Sequence, residues 1–333
     1  MEGGLILLEH DQSLLSPPSG SPVIAVRTLM PRDLGFPRCR HWRNAVAGTS
    51  GYLWGLGAAA IWSGWWTVTR VGVVNDLSAT DLAGLRFGIS GLLLLPLVWR
   101  ERRTIGAVAP RFLVLMAAGA GAPYALIAGT GVRLTSAGLG GAITVGLLPV
   151  FTLVLSVLFL REKVTHRLAA GIGCILLGAA FVAAGTWEAG RAGFGLGLFA
   201  AGALMWAGYT VALKRSGLAP LTATAVICVA SLVLYTPVWL VLSGLPRLLA
   251  AAPGELLLQV LYQSLLSAIG ALYCYGRAIG RLGATRASVF AAIVPLFSVL
   301  IAAVVLREIP SAFEACGAVL LSGGAFVASS NRR

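Results

Sequence analysis

Apolar residues in this chain come in long runs, and polar residues gather in short clusters between them. Ten runs stand out, near residues 52–74, 79–99, 111–132, 138–160, 167–187, 194–213, 221–243, 256–276, 287–306 and 312–329. A helix needs about 20 apolar residues to cross a hydrocarbon core ~30 Å thick. Each run therefore predicts one membrane-spanning helix. The connections are short and leave no room for a second soluble domain. Residues 1–50 break the pattern with Pro17, Pro18, Pro22, Pro31 and Pro37, scattered charge and no helical period. They predict a disordered cytoplasmic tail. A signal peptide would need a basic stretch ahead of an apolar run, whereas here Glu2 comes first and the run LILL is too short.

The runs also repeat. PVFTLVLSVLFLRE at 149–162 returns as PLFSVLIAAVVLRE at 295–308, 146 residues later, with Pro, Phe, Leu, Arg and Glu in register. Upstream, AAAIWSGWWTVTR at 58–70 aligns with GALMWAGYTVALK at 202–214. This pairs Trp62 with Trp206, Trp65 with Tyr209 and Arg70 with Lys214. Downstream, GAAF at 178–181 matches GGAF at 323–326 with one residue deleted between. The unit is thus five helices long, over 51–187 and again over 188–330. Five is odd, so the second copy must enter the membrane from the opposite side. The fold class expected is an all-α polytopic membrane protein of ten transmembrane helices, built as two inverted five-helix repeats. Such repeats place a substrate site near the bilayer midplane, at their interface.

Composition fits a bilayer, with 58% hydrophobic and 11% charged residues. A soluble domain carries about 25% charged residues. The net charge of +13 would otherwise suggest nucleic acid, but the basic residues sit at the ends of the apolar runs, on alternate sides. Suppose the first helix starts in the cytoplasm. The inner connections and flanks then hold Arg100, Arg102, Arg103 and Arg111; Arg161, Lys163 and Arg167; Lys214 and Arg215; Arg277, Arg281 and Arg286; and Arg332 and Arg333. The outer ones hold only Arg70, Arg133, Arg191, Arg247 and Arg307. This asymmetry predicts both termini in the cytoplasm. The charge reads as topology and excludes a nucleic-acid partner.

At this point particular residues resemble a known family. WSGWWTVTR in the first helix, DLAGLRF opening the second, TSAG before the fourth, PVFTLVLSVLFLREKVT across it and RLGATRAS before the ninth are similar to EamA-type transporters of the drug/metabolite superfamily. The likeness spans about 52–330, in both repeats. It implies ten helices, placement in the inner membrane, and export of amino acids or other small metabolites.

Few side chains carry chemistry. Arg86 is the one clear intramembrane charge. If its helix begins near Thr80, Arg86 lies ~9 Å deep at 1.5 Å per residue. Burying Arg in a membrane helix costs roughly 2.5 kcal/mol or more, so it should face the protein interior or a wet cavity. It reads as a dock for a carboxylate or phosphate, or as a structural group bonded to helix-end carbonyls. Asp81 lies about 140° around the helix and does not share its face. Trp62, Trp65 and Trp66 fall on one side of the first helix; with Trp206 and Tyr209 of the sixth they read as a cavity lining or as plain packing. Tyr124 and Tyr273 occupy similar depths in the third and eighth helices and are expected to line the same central cavity. Pro149 and Pro295 read as bends or packing kinks. Glu162 and Glu308 close the repeated blocks at opposite membrane surfaces, as partners of helix ends or as gates.

No acid lies deep in any helix, the three histidines lie outside the apolar runs, and no Walker, CxxC or HExxH motif occurs. The sequence therefore predicts no cofactor, no metal and no enzyme. It predicts a secondary or facilitative exporter of a small metabolite, an amino acid or similar zwitterion, in the inner membrane. Coupling to protons and a homodimer are compatible with it. An organic-anion or phosphorylated-metabolite exchanger is the second reading, and a lipid-modifying membrane enzyme the third.

Overall fold

The computed structural model describes residues 38–75, 77–160, 164–187, 192–282 and 289–329. Among these the chain is helical nearly throughout and holds no strand. The main helices are α1 (Arg38–Val74), α2 (Ala79–Arg100), α3 (Pro110–Leu134), α4 (Ala137–Leu160), α5 (His166–Trp187), α6 (Ala192–Ser216), α7 (220–250), α8 (253–282), α9 (Val294–Val305) and α10 (Ala312–Ser329). A single turn at Arg102–Gly106 lies between α2 and α3. Seven helices, α2 to α8, are long and apolar enough to cross a bilayer, while α9 and α10 are apolar but shorter. The helix α1 is not among them, because Ser63, Thr67, Thr69 and Arg70 interrupt its apolar run.

The packing described below lies within residues 43–333, which form one unit; of the unit 1–42 only the helix from Arg38 is described. That helix starts well before the expected boundary at residue 51. No proline follows Pro37 until the second helix, so nothing in RCRHWRNAVAGTSG stops α1 from propagating backward.

Helix ends follow their caps. Ser78 and Asp81 form a capping box at the start of α2, each side chain bonded to the other's backbone N–H. Pro110, Pro220 and Pro253 stand in first turns, where a missing N–H breaks no bond. The two repeat-related prolines differ. Pro149 is enclosed in the continuous helix α4, whereas Pro295 begins α9 after a turn at Ile293.

The third helix of each repeat is irregular at mid-length. In α3 the helix stops at Gly121 and restarts at Ala122, whose N–H donates to Ser231 Oγ of α7 at 3.1 Å. In α8 the corresponding stretch Val260–Gly270 is a π-helix, a form associated with functional sites.

Packing obeys the repeat. Helix α2 packs on α7, α4 on α9 and α5 on α10, each helix on its own counterpart. Helices α3 and α4 both pack on α6. Likewise α1, the counterpart of α6, receives α8 through Trp65–Gln263 and α9 through Ser63–Val294. The α5–α10 seam is made of glycine. A Cβ on Gly171 would meet Gly324 O at 2.8 Å, and one on Gly324 would meet Gly171 O at 2.7 Å. A Cβ on Gly178 would meet Gly317 O at 2.9 Å, and one on Gly317 would meet Gly178 O at 2.8 Å. Pairing 171 with 324 and 178 with 317 makes the helices antiparallel. Adding 146 to 171 and to 178 turns one pair into the other. The offset of the repeated block therefore holds to the end of the unit in space, and the deletion that the GAAF alignment required is absent there.

Apolar side chains cover the outside. Leu92, Val241, Leu242, Val304 and Ile309 are all more than half exposed. Water-soluble monomers do not present apolar surface on this scale, whereas lipid requires it.

Candidate functional site

Five aromatic rings form a connected string from the first repeat into the second. Trp65 and Trp66 of α1 meet at 4.7 Å between ring centres. Trp65 stacks on Tyr124 of α3 at 6.4 Å and 21°. Tyr124 meets Trp206 of α6 at 4.8 Å, and Trp206 meets Tyr209 at 5.6 Å. Trp66 also reaches Phe199 of α6 at 5.8 Å. Edge-to-face pairs of this kind contribute about 0.5–1.5 kcal/mol each beyond burial. The string bridges the two repeats with side chains from three helices.

Arg86 sits on this string. Its guanidinium carbon lies 5.4 Å from the centre of the Trp65 ring and 5.6 Å from that of Phe87. Its Nε is buried without a hydrogen-bond partner among the described residues. The expected face holds: Asp81 turns away. It takes Trp239 Nε1–H at 2.9 Å on one oxygen, and on the other the Ser78 N–H at 2.8 Å, with Arg247 at 3.6 Å. Among the described residues no carboxylate forms an ion pair with this guanidinium. The break in α3 lies close by: Tyr124 is the third residue of the restarted half-helix Ala122–Leu134. That helix end is largely spent, because the Ala122 N–H is taken by Ser231, Pro123 has none and the Ala125 N–H reaches Gly121 O at 3.1 Å.

Two residues expected in this group lie elsewhere. Tyr273 is 56% exposed and packs edge-on against Trp54 at 5.6 Å, with Arg277 near both rings. Trp62 faces Tyr275 at 5.2 Å and the separate cluster of Ala59, Phe290 and Val294. Depth along a helix predicted both, but rotation about the helix axis decides which ring reaches the centre. The sequence reading also passed over Gln259 and Gln263 of α8. Both are fully buried, and Gln263 accepts the Trp65 indole N–H at 2.6 Å. Two amides four residues apart in an apolar helix were the available signal.

At one end of the bundle Glu308 joins three helices. Its Oε1 takes Arg70 Nε at 2.9 Å and its Oε2 takes the Ala137 N–H at 3.0 Å, the first residue of α4. Arg70 also donates to Val132 O at 2.7 Å and Arg133 O at 3.1 Å. Glu308 thus bonds helix ends, one of its two expected roles. A cavity of about 320 Å³ beside it is lined by Thr135, Ser136, Leu139, Thr186 and Glu314. Glu162, its repeat counterpart, lies outside the described residues. Among the described residues no three His, Cys, Asp or Glu side chains gather to hold a metal ion.

Comparison with known proteins agrees with this architecture. Residues 49–184 and 193–330 each match the EamA-like transporter family. The chain belongs to that family. The first match runs from within α1 to α5 and the second from α6 to α10. It is a multi-pass membrane protein of the drug/metabolite transporter superfamily. Nine solved chains are similar to it; one, described only as a crystal structure of a protein, shares 21% identity over 84% of this chain and 97% of its own, with TM-score 0.58. That likeness concerns the fold alone. No curated protein matches the chain.

Proposed function

We propose that this EamA-family protein is a secondary or facilitative exporter of an amino acid or similar zwitterion. In this reading ten helices span the plasma membrane as two inverted repeats, with both termini in the cytoplasm, and the repeats rock about a central site. The observation that carries the reading is Arg86, a buried cation without a partner for its Nε, laid on the ring string that links the repeats. A carboxylate would pair with the Arg86 guanidinium, where the attraction acts in low dielectric. An ammonium group fits the faces of Tyr124, Trp206 and Tyr209, which attract cations by about 0.5–2 kcal/mol per ring. The Arg70–Glu308–Ala137 contact ties α1, α4 and the end of α9, and suits the closing of one end of the path.

The test is flux in proteoliposomes with radiolabelled amino acids and organic anions, with and without a pH gradient. Saturable transport of amino acids that Arg86→Ala abolishes is the expected outcome. Transport of carboxylates lacking an ammonium group, with amino acids excluded, would replace this reading by an organic-anion exchanger. No flux of either class would remove it.

A further inference from the structure

A hydrogen-bond chain leaves α1, crosses two amides of α8 and returns to α1. Trp65 donates its indole N–H to Gln263 Oε1 at 2.6 Å. Gln263 Nε2 faces Thr69 Oγ1 at 3.1 Å and Gln259 Oε1 at 3.3 Å. Gln259 Nε2 donates to the Val68 carbonyl at 2.8 Å. The direction is fixed at both ends. An indole N–H can only donate, so the Gln263 atom before it must be the oxygen; a backbone carbonyl can only accept, so the Gln259 atom before it must be the nitrogen. Both N–H groups of Gln263 are therefore spent within the protein. Gln263 has no donor left for a ligand, and its work is to hold Trp65.

The same stretch of α8 holds the other half of the site. Ser264 donates to the carbonyl of Leu85 at 3.0 Å, one residue before Arg86. Gln263 and Ser264, adjacent in the π-helical stretch, thus clasp α1 at Trp65 and α2 at Arg86. At this level α1 and α2 meet through the guanidinium over the indole. Glycine on α1 admits the clasp: a Cβ on Gly72 would meet Gln259 Nε2 at 2.8 Å, and one on Gly64 would collide with the Tyr262 hydroxyl. A buried amide network with every member satisfied rigidifies what it touches.

We propose that Gln263 is the positioning residue of the central site, setting the plane of the Trp65 indole under Arg86 and thereby how tightly the site holds a carboxylate. This rests on the reading of the ring string as the substrate site. The inference has one readout that needs no substrate and one that does.

The first is the ¹⁵N resonance of Arg86 Nε in arginine-labelled full-length protein in nanodiscs, identified by its loss in Arg86→Lys. Gln263→Met keeps the side-chain length and removes the amide; Trp65→Phe keeps a ring and removes the N–H. Each should shift the Arg86 signal, and the double variant should shift it no further. An Arg86 signal unmoved in either folded variant, or additive shifts in the double, would overturn the proposal. Should Gln263→Met fail to insert, Gln263→Leu removes the same amide while leaving the Trp65 ring under Arg86, and decides in its place.

The second readout is uptake of radiolabelled amino acids by proteoliposomes. Gln263→Met should raise the half-saturation concentration about tenfold while the maximal rate stays within about twofold, as expected when one satisfied hydrogen bond to a binding group is lost. A fall in maximal rate alone would count against positioning. If the wild-type protein moves no amino acid, the functional reading fails, and the resonance still decides the role of Gln263.

Discussion

Arg70 and Glu308 stand 238 residues apart in the chain and 2.9 Å apart in space. One lies in the last turn or so of the first helix of the first repeat; the other follows the fourth helix of the second. The carboxylate divides its oxygens between this guanidinium and the buried N-terminus of α4 at Ala137, so it neutralises a cation and caps a helix at once. Both side chains are about four-fifths buried, at 22% and 23% exposure.

Removing the carboxylate should loosen this end of the bundle. Glu308→Gln is expected to lower stability by about 1.5–3 kcal/mol, the range for hydrogen bonds to charged groups. Exchanging the charges, Arg70→Glu with Glu308→Arg, should not restore it, because guanidinium cannot accept the Ala137 N–H. Thermal unfolding in detergent measures both. Full recovery in the exchanged variant would show that the ion pair alone matters and that the cap does not.

Arg307 precedes Glu308 with φ of 57°, the left-handed conformation that non-glycine residues avoid. The Glu308 N–H reaches back six residues to Ala302 O at 3.3 Å, closing the end of α9 over the left-handed Arg307. Arg307→Gly should stabilise the protein by ~1 kcal/mol by relieving that strain, less some chain entropy. A fall in melting temperature instead would assign the Arg307 side chain a contact worth more than the strain.

Arg86 separates function from folding. Arg86→Ala should leave insertion and yield intact while raising half-saturation by roughly 2–5 kcal/mol equivalent, the loss seen when one member of a buried charged pair is removed. Arg86→Lys should recover little, since the ammonium lacks the planar fork that grips a carboxylate. Loss of yield in both variants, with residual transport normal, would make the group structural.

Orientation can be read by labelling. With the five native cysteines replaced, a single cysteine at Gly190 should react with an impermeant maleimide from outside intact cells, and one at Arg103 only after lysis. The opposite pattern would invert the topology and, with it, the side at which Arg70 meets Glu308.

Much of this fold was legible because lipid imposes a simple code. The apolar runs marked the helices, and the duplicated block PVFTLVLSVLFLRE announced the repeat; the Pro110 and Pro220 starts and the Ser78–Asp81 box are local signals that the apolar pattern alone does not use. What escaped was set by rotation and by distance. Trp62, Trp65 and Trp66 share one side of a helical wheel, yet Trp66 turns to Phe199 and Trp62 to Tyr275. Tyr273 has the depth of Tyr124 but faces outward. Arg70 and Glu308 were each conspicuous, but no local spacing joins them. Pro37 marked the start of α1 more faithfully than the apolar run did. Gln259 and Gln263 carry neither charge nor ring and so do not stand out in the sequence, although a buried amide pair is costly in lipid unless it is bonded.

The α5–α10 seam has a consequence for ancestry. Gly171 meets Gly324 and Gly178 meets Gly317, and each pair is the other under exchange of the repeats. A contact of that kind is self-complementary: both of its sides are written in one unit. A half-length chain with glycine at 171 and 178 carries everything needed to pair with a copy of itself lying the other way up. Fusion of two such copies would have preserved a working interface from the first generation, leaving the rest of each half free to diverge. The clasp at Gln263, whose place in the first repeat is held by Ala117, is where that divergence is written.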